Sequence, residues 1–307
     1  MQTSRRYLGW AVFAAVLFEP GFASAYCRTT TCIASDTDTC EYTAEGCNIS
    51  GEPLYWANGC VSLGVHKDGS LSQGITFEQS LVYVDEAFAE WESADCAGAT
   101  PSLSVIPELT PLYCGSARVN SPEPNANTLL YIDEDWPFED PGITLALTTI
   151  SFDPETGEIL DADIEINTAD TEFQVEGRVI NDLQSVIVHE IGHFLGLSHS
   201  RVRDATMYEN YSPGGTNFRT ISEDDQAGIC AVYPPGANES CSEFVPFNGF
   251  SPYCQEKMEE GGCSVASLPA TPRSTDSGGG VPVGSASLGL GLLAWLRLRS
   301  RRAARKR

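Results

Sequence analysis

The stretch VIVHEIGHFLGLSHS, residues 186–200, decides how this sequence is interpreted. The chain has four histidines, and three of them, His189, His193 and His199, fall within this stretch, whereas His66 stands alone. Histidines clustered at helical spacing are typical of a metal site. The spacing between these histidines therefore leads to the first hypothesis, a metal site.

His189 and His193 are four residues apart, so both imidazoles would lie on one face of a helix, about one turn apart. That separation suits two ligands of one tetrahedral zinc, and Glu190 beside the first ligand could reach a water on the metal. Gly196 would end the helix in a left-handed conformation and turn the chain back, delivering His199 as a third ligand. Three nitrogens leave a fourth position for water, which indicates a catalytic zinc rather than a structural one. The competing interpretation is that these histidines only pack or titrate. In that case all five fixed positions of HExxHxxGxxH would have arisen by chance.

Periodicity around this stretch predicts an α+β fold with a mixed sheet. Helices are predicted at residues 77–96, from Asn181 or Asp182 to about Leu197, and from Ser222 onward. Strands are predicted within four segments, residues 53–70, 101–109, 143–153 and 159–167.

The two ends of the chain differ from its middle. Residues 1–25 have a basic start, a short apolar run and Ala23-Ser24-Ala25, the pattern of a secretory signal peptide. Residues 264–280 are rich in Ser, Pro, Thr and Gly, which predicts a flexible linker. Residues 281–307 combine an apolar run with an arginine-rich end, which favours a tail held at a membrane. The protein is therefore predicted to be secreted or anchored outside the cell.

The charge of the chain excludes one class of partner. From residue 26 to residue 263 there are eight Lys or Arg residues against 40 Asp or Glu residues. A phosphate backbone requires a basic face, so nucleic acid is excluded as a partner.

Eleven cysteines in a secreted chain predict disulfides. Five of them lie between residues 27 and 60, at spacings that lack the CxxC pairs of zinc ribbons, so residues 26–52 are predicted to be a stapled N-terminal extension. Five disulfides would leave one odd thiol, for which Cys263 at the head of the linker is the candidate. The alternative is that Cys263 pairs with Cys254 or Cys241.

These motifs resemble the metzincin zinc endopeptidases, and within them the matrixins. Ser200 follows the third histidine as in matrixins, and Met207 in DATMY stands where the family has its Met-turn. AFAEWESADC (87–96) and ISEDDQAGICAVYP (221–234) are similar to the first and last matrixin helices, and Leu145-Ala146 to the edge strand along which substrate lies. The resemblance spans about residues 53 to 235.

The resemblance implies a twisted mixed sheet with a long zinc-binding helix and a C-terminal helix, in a disulfide-stapled domain. It implies that His189, His193 and His199 bind one catalytic zinc, that Glu190 is the general base, and that Met207 supports the site without binding metal.

Four departures from the matrixin pattern stand out. The propeptide cysteine that caps zinc is absent, and the segment from 26 to 52 is too short for the usual prodomain. Leu147 stands where the family's structural zinc needs a histidine, and with only His66 to spare that second zinc is expected to be missing. Glu209 stands where the pocket wall normally has proline.

Calcium has two open interpretations. Asp153, Asp161 and Asp163 lie around the turn DPETGEILDAD, near where matrixins hold calcium, but a solvated acidic hairpin has the same composition.

From Cys263 onward the chain resembles a bacterial sorting tail of the MYXO-CTERM type, with a cysteine, a short apolar helix and an arginine cluster. The resemblance implies removal of the tail near Cys263 and retention of the protein at the bacterial outer cell surface, through a lipid on that sulfur. The alternative is a plain membrane anchor.

The resulting hypothesis is a secreted or surface-anchored, monomeric zinc metalloendopeptidase acting on proteins or peptides. One alternative is a catalytically silent adhesion or binding module on the same scaffold, and another is a zinc hydrolase of non-peptide substrates. The predicted organisation comprises six segments: a signal peptide (1–25), the Cys-rich extension (26–52), the catalytic domain (53–236), a Cys-containing extension (237–263), the linker (264–280) and the tail (281–307).

Overall fold

The computed structural model of the protein describes residues 25–34, 39–115, 124–174, 180–237, 241, 243–255 and 284–291. Residues 1–24 of the predicted signal peptide, Cys263, the linker and most of the tail lie outside these described residues.

Three helices have the predicted positions, and side chains fix where each begins. Helix α1 (Phe77–Glu92) starts with a capping box in which Thr76 accepts from the backbone of Gln79. Helix α2 (Leu183–Phe194) is capped by Asp182, and α3 (Glu223–Val232) by Ser222. Each cap satisfies backbone N–H groups that have no partner inside the helix, so these residues determine the helix starts.

The main sheet has five strands in the order β3-β5-β7-β6-β9. Strands β3 (Gly64–Val65), β5 (Thr128–Ile132) and β7 (Ile159–Asn167) run parallel, and β6 (Thr144–Phe152) and β9 (Gly284–Gly291) are added antiparallel. This mixed sheet, together with the three helices, confirms the predicted α+β class.

Two short sheets tie other segments to this framework. Strand β1 (Cys27–Arg28) of the N-terminal extension pairs antiparallel with β8 (Leu197–Ser198), which follows α2. Strand β2 (Cys60–Val61) pairs parallel with β4 (Ser104–Val105).

The core lies between the sheet and α1 and α2. Every residue of α2 is buried, and side chains from elsewhere bind the carbonyl groups along it. The indole N–H of Trp91 donates to the carbonyl of Val188 at 3.0 Å, and that of Trp56 donates to the carbonyl of Phe194 at 2.8 Å. Buried carbonyl groups need partners, and these bonds hold α2 against α1 and against the segment that precedes β2.

Five disulfides staple the described residues, as predicted. They join Cys27–Cys47, Cys32–Cys40, Cys60–Cys241, Cys96–Cys230 and Cys114–Cys254. Because Cys241 and Cys254 are paired elsewhere, the alternative of a disulfide from either of them to Cys263 is wrong.

The strand predictions were correct in part. Residues 53–70 contain two short strands, β2 and β3, instead of one, and β5 was not predicted. Residues 284–291 were expected within a short apolar helix but form β9, because their backbone groups pair with β6. Among the described residues, none of the helices is both long and apolar enough to cross a bilayer.

Candidate metal centre and active site

Helix α2 presents His189 and His193 from one buried face. The two ring centroids are 4.7 Å apart, and both side chains are fully buried. The chain then leaves the helix at Gly196, whose φ of +97° is strained for any residue with a side chain. A Cβ at this position would also lie 2.6 Å from the carbonyl oxygen of Leu54. Glycine is therefore required for the predicted turn that follows the helix.

The turn brings His199 to the two helical histidines. Its ring centroid lies 5.3 Å from that of His189 and 4.7 Å from that of His193, and the Nε2 atoms of His193 and His199 are 3.2 Å apart. Among the described residues this triad is the group of His, Cys, Asp or Glu side chains whose ligand atoms converge, all within 4.8 Å of one another. The predicted ligand set is thus assembled in the fold.

Backbone carbonyl groups orient two of the rings. His189 Nδ1 lies 2.6 Å from the carbonyl oxygen of Thr206, and His193 Nδ1 lies 3.0 Å from that of Leu197. A carbonyl only accepts, so each Nδ1 carries the proton and each Nε2 keeps a lone pair. His189 Nε2 is buried without a hydrogen-bond partner. An unpaired buried lone pair beside two other imidazoles is what a zinc ion would satisfy, so these residues fit the metal.

The protonation state of the triad also suits a cation. Burial, with the neighbouring His199, lowers the pKa of His189 to about 3. Burial likewise lowers the pKa of His199 to about 4 and the pKa of His193 well below its ordinary value. All three rings are therefore neutral at neutral pH, the form in which imidazole binds metal.

Glu190 is fully buried on the same helix, between the two helical histidines in sequence. Its Oε2 accepts a hydrogen bond of 2.6 Å from the hydroxyl of Thr148 on β6. Thr148 is not predictable from the sequence, because a threonine in a strand pattern gives no sign of the partner that it meets across the core.

The predicted Met-turn lies against α2. Met207 is buried, and a Cβ added to Gly192 would collide with its sulfur. Asp225 of α3 holds the turn, since its carboxylate accepts from the backbone N–H of Thr206 at 2.7 Å and of Met207 at 3.0 Å. Asp225 therefore holds the backbone segment whose carbonyl orients His189. The SEDDQ motif indicated a helix cap at this position but gave no sign of this second role.

The remaining histidine lies outside the triad. The pKa of His66 is lowered by burial, and its Nδ1 accepts from the backbone N–H of Asp68 at 3.4 Å. Among the described residues, His66 does not belong to a group of converging metal ligands.

Leu145 and Ala146 lie on β6 as predicted, but β6 is not an edge strand in this structure. Strand β9 pairs with its outer side from Thr144 to Phe152, with an irregularity between Thr144 and Leu147. Residues 284–291 pair along this outer side of β6, although their register skips Leu145 and Ala146, and the role of these two residues in binding substrate stays a prediction.

The three predicted calcium residues occupy two environments. Asp153 accepts from the backbone of Glu155 and Thr156 within its own exposed turn. Asp161 and Asp163 are 0% and 1% exposed, so the solvated-hairpin interpretation is wrong for them.

The buried pair on β7 has unusual electrostatics. Burial raises the pKa of Asp161 and of Asp163, and the nearby Asp163 raises that of Asp161 further. Burial and the charge of Asp163 also raise the pKa of Glu165 to about 7. When both groups are ionised, both oxygens of Asp161 and Oδ2 of Asp163 lack a hydrogen-bond partner, whereas a protonated Asp161 donates a hydrogen bond to Asp163.

A helix carrying HExxH, a glycine turn to a third histidine and a methionine turn against that helix together form the arrangement of a zinc metallopeptidase centre. The comparisons with known proteins agree with this class. Residues 130–234 match the Matrixin family model. This match supports the metzincin-type fold and the resemblance to matrixins; it begins later than the predicted start near residue 53 and does not include the tail.

The relatives found are matrix metalloproteinases and similar enzymes. Metalloendoproteinase 4-MMP of Arabidopsis thaliana is 37% identical over 98 residues, which cover 31% of this chain and 27% of that protein. Matrilysin of Homo sapiens is 36% identical over 105 residues, covering 34% of this chain and 37% of matrilysin. The hatching enzyme of Paracentrotus lividus is 43% identical over 89 residues, covering 27% of this chain and 15% of that enzyme. The chain thus spans about a quarter of the length of the plant relative and about a third of matrilysin.

Proposed function

We propose that this chain is a zinc-dependent endopeptidase of the matrixin type that is secreted, acts as a monomer and cleaves extended segments of extracellular proteins. The observation that carries the proposal is that three neutral imidazoles converge, and that a buried carboxylate lies on the helix that carries two of them. The match to matrixins and the five disulfides support it.

His189, His193 and His199 would hold the zinc. The carbonyl groups of Thr206 and Leu197 accept from Nδ1 of the two helical histidines and so keep their Nε2 lone pairs available. A bound zinc supplies Lewis acidity, which activates water and polarises the scissile carbonyl.

Glu190 is the proposed general base. A carboxylate at this position accepts a proton from the attacking water and passes it to the leaving amine. Burial on α2 shields Glu190 from bulk solvent, and the hydroxyl of Thr148 holds one of its oxygens.

The proposed substrate is an extended peptide that pairs with β6, because a strand edge offers backbone groups at regular spacing. In this structure β9 uses that edge, so a substrate can pair there only after β9 leaves.

A catalytically silent binding module on the same scaffold is the second hypothesis. Glu190 argues against it, because a buried carboxylate beside a metal ligand costs stability and serves no purpose in simple adhesion. A zinc hydrolase of non-peptide substrates is disfavoured because β6, once β9 has left it, offers its backbone groups to an extended peptide.

The test measures metal content and peptide hydrolysis together, with and without a chelator. The variants Glu190→Gln and Glu190→Ala are expected to keep zinc and fold but to lose at least ~10²-fold in kcat, the usual scale for a general base. Glu86→Gln, at an exposed position of α1, is the control. Near-normal hydrolysis by both Glu190 variants would exclude the assigned role, and a chelator-insensitive wild type would exclude the zinc enzyme.

The proposal extends to the tail. We expect removal near Cys263 and retention at the outer cell surface through that sulfur, because the ten other cysteines are paired. Mass spectrometry of the C-terminus from the native host decides this, and an intact Arg307 would contradict it.

Calcium is proposed as a second ion, at Asp161 and Asp163. Their unpaired buried oxygens favour a hard cation with oxygen ligands. Asp153 is left out of the site because its carboxylate binds its own turn.

A further inference from the structure

Thr148 contacts the proposed general base from the sheet. It lies on β6, is fully buried, and its hydroxyl oxygen is 2.6 Å from Oε2 of Glu190 and 3.2 Å from the backbone carbonyl of the same residue. Both neighbours on this face of the strand, Ala146 and Ile150, are buried and apolar. The hydroxyl therefore stands alone in an apolar surface, directed at Glu190.

A hydroxyl has one proton to donate, and both atoms of Glu190 within reach are acceptors. The carboxylate oxygen is the nearer of the two and carries the charge, so it receives the proton in the stronger bond. The β-branched side chain has a restricted χ1, and the antiparallel pairing of β6 with β7 holds the strand that carries it. These constraints fix the position of the donor, and through it the position of the carboxylate.

We propose that Thr148 is a positioning residue, which holds the carboxylate of Glu190 in the orientation needed for proton transfer. The inference rests on the proposed endopeptidase function. Proton transfer depends steeply on the placement of the base, and a misplacement of about 1 Å can cost ~10²-fold in rate. Because Thr148 is fully buried and its hydroxyl is bonded to Glu190, we expect its loss to lower kcat and to leave KM nearly constant.

The matched pair Thr148→Ser and Thr148→Ala tests this role. Both variants lose the γ-methyl group, and they differ only in the hydroxyl. Thr148→Ser is expected to retain most of kcat, whereas Thr148→Ala and the near-isosteric Thr148→Val lose about 10- to 100-fold, the scale of one hydrogen bond to a charged group. Zinc content and melting temperature, measured on the same samples, show whether the metal and the fold are intact.

Two further readouts separate positioning from packing. In the Glu190→Ala background, Thr148→Val should cause no additional loss of residual hydrolysis, since the hydroxyl acts through the absent carboxylate. A crystal structure of Thr148→Ala should show the Glu190 carboxylate rotated from its wild-type position.

The outcomes are distinguishable. Equal losses for the serine and alanine variants would mean that the methyl group matters and would overturn the proposal. So would a full kcat in folded Thr148→Ala, or an additive loss in the double variant. An inactive wild type that binds zinc would instead overturn the proposed function itself.

Discussion

Replacing Asp225 with asparagine tests whether α3 supports the metal centre through the Met-turn. Asp225 is 1% exposed, and its two oxygens accept from the backbone N–H groups of Thr206, Met207 and Ser222 at 2.7, 3.0 and 2.8 Å. The carbonyl of Thr206 in turn orients His189, at 2.6 Å from Nδ1. The perturbation is therefore two hydrogen bonds away from a proposed zinc ligand.

The magnitude follows from the bonds that are lost. An asparagine keeps one acceptor oxygen and turns a donor group toward the other N–H groups, so at least one of the bonds to the Met-turn is lost. A hydrogen bond to a charged group contributes about 1.5–3 kcal/mol. Burial raises the pKa of Asp225, so the charged form carries a desolvation cost that the neutral amide avoids. We expect a net loss of about 2 kcal/mol in the free energy of unfolding at pH 7.

The assay combines thermal unfolding with competition for zinc against a chelator. A loss of this size corresponds to a fall of roughly 4–8 °C in Tm for a domain of this size. Zinc affinity should fall as well, because the carbonyl that orients His189 becomes mobile; losses of a metal ligand's hydrogen-bond partner typically cost about 10- to 100-fold. The matched control is Glu223→Gln, an exposed carboxylate on the same helix. Destabilisation of Asp225→Asn with an unchanged zinc affinity would refute the coupling, and equal effects of both variants would refute the role of the buried bonds.

Elemental analysis of the mature protein should find one tightly bound zinc per chain, because only His66 remains outside the triad; a second zinc that survives mild chelation would contradict this. The raised pKa of the buried Asp161 means that the folded state favours its protonated form. The free energy of unfolding is therefore higher at low pH and falls as the pH rises through the pKa that Asp161 has in the folded state. In calcium-free buffer, Asp161→Asn should therefore raise the free energy of unfolding by about 1–3 kcal/mol at pH 8 and change it little at pH 4. The same variant should abolish any stabilisation by added calcium. A change in stability that is the same at both pH values would contradict this explanation. In the chain that retains its tail, replacing both Ala286 and Ser287 by proline removes whichever of these consecutive N–H groups faces β6, so hydrolysis of short peptides should rise, whereas an unchanged rate would show that β9 does not compete with substrate.

Much of the metal centre could be predicted from local sequence alone. The i, i+4 spacing of His189 and His193 fixes a common helix face, and Gly196 supplies the turn that delivers His199, so these relations need no knowledge of the rest of the chain. The three helix starts were predictable for the same reason, because a cap and its helix are neighbours in sequence.

The tertiary structure alone decided the surroundings of that centre. Thr148 and Glu190 are 42 residues apart, and Asp225 lies 19 residues from Thr206, so nothing in their local patterns signals the contact. Strand β5 is short, and it pairs with residues of β7 that lie about 35 positions further along the chain.

At the edge of the sheet, too, the local sequence predicts one feature and the tertiary structure decides another. The alternation of Leu145 and its neighbours predicts a strand, but whether that strand ends the sheet depends on residues 284–291, which join it from the far end of the chain. Likewise, an acidic pattern does not reveal that Asp161 and Asp163 are buried while Asp153 stays in an exposed turn. Local spacing encodes which groups share one element, whereas burial and partner choice arise only when distant elements pack, because they depend on what covers each face.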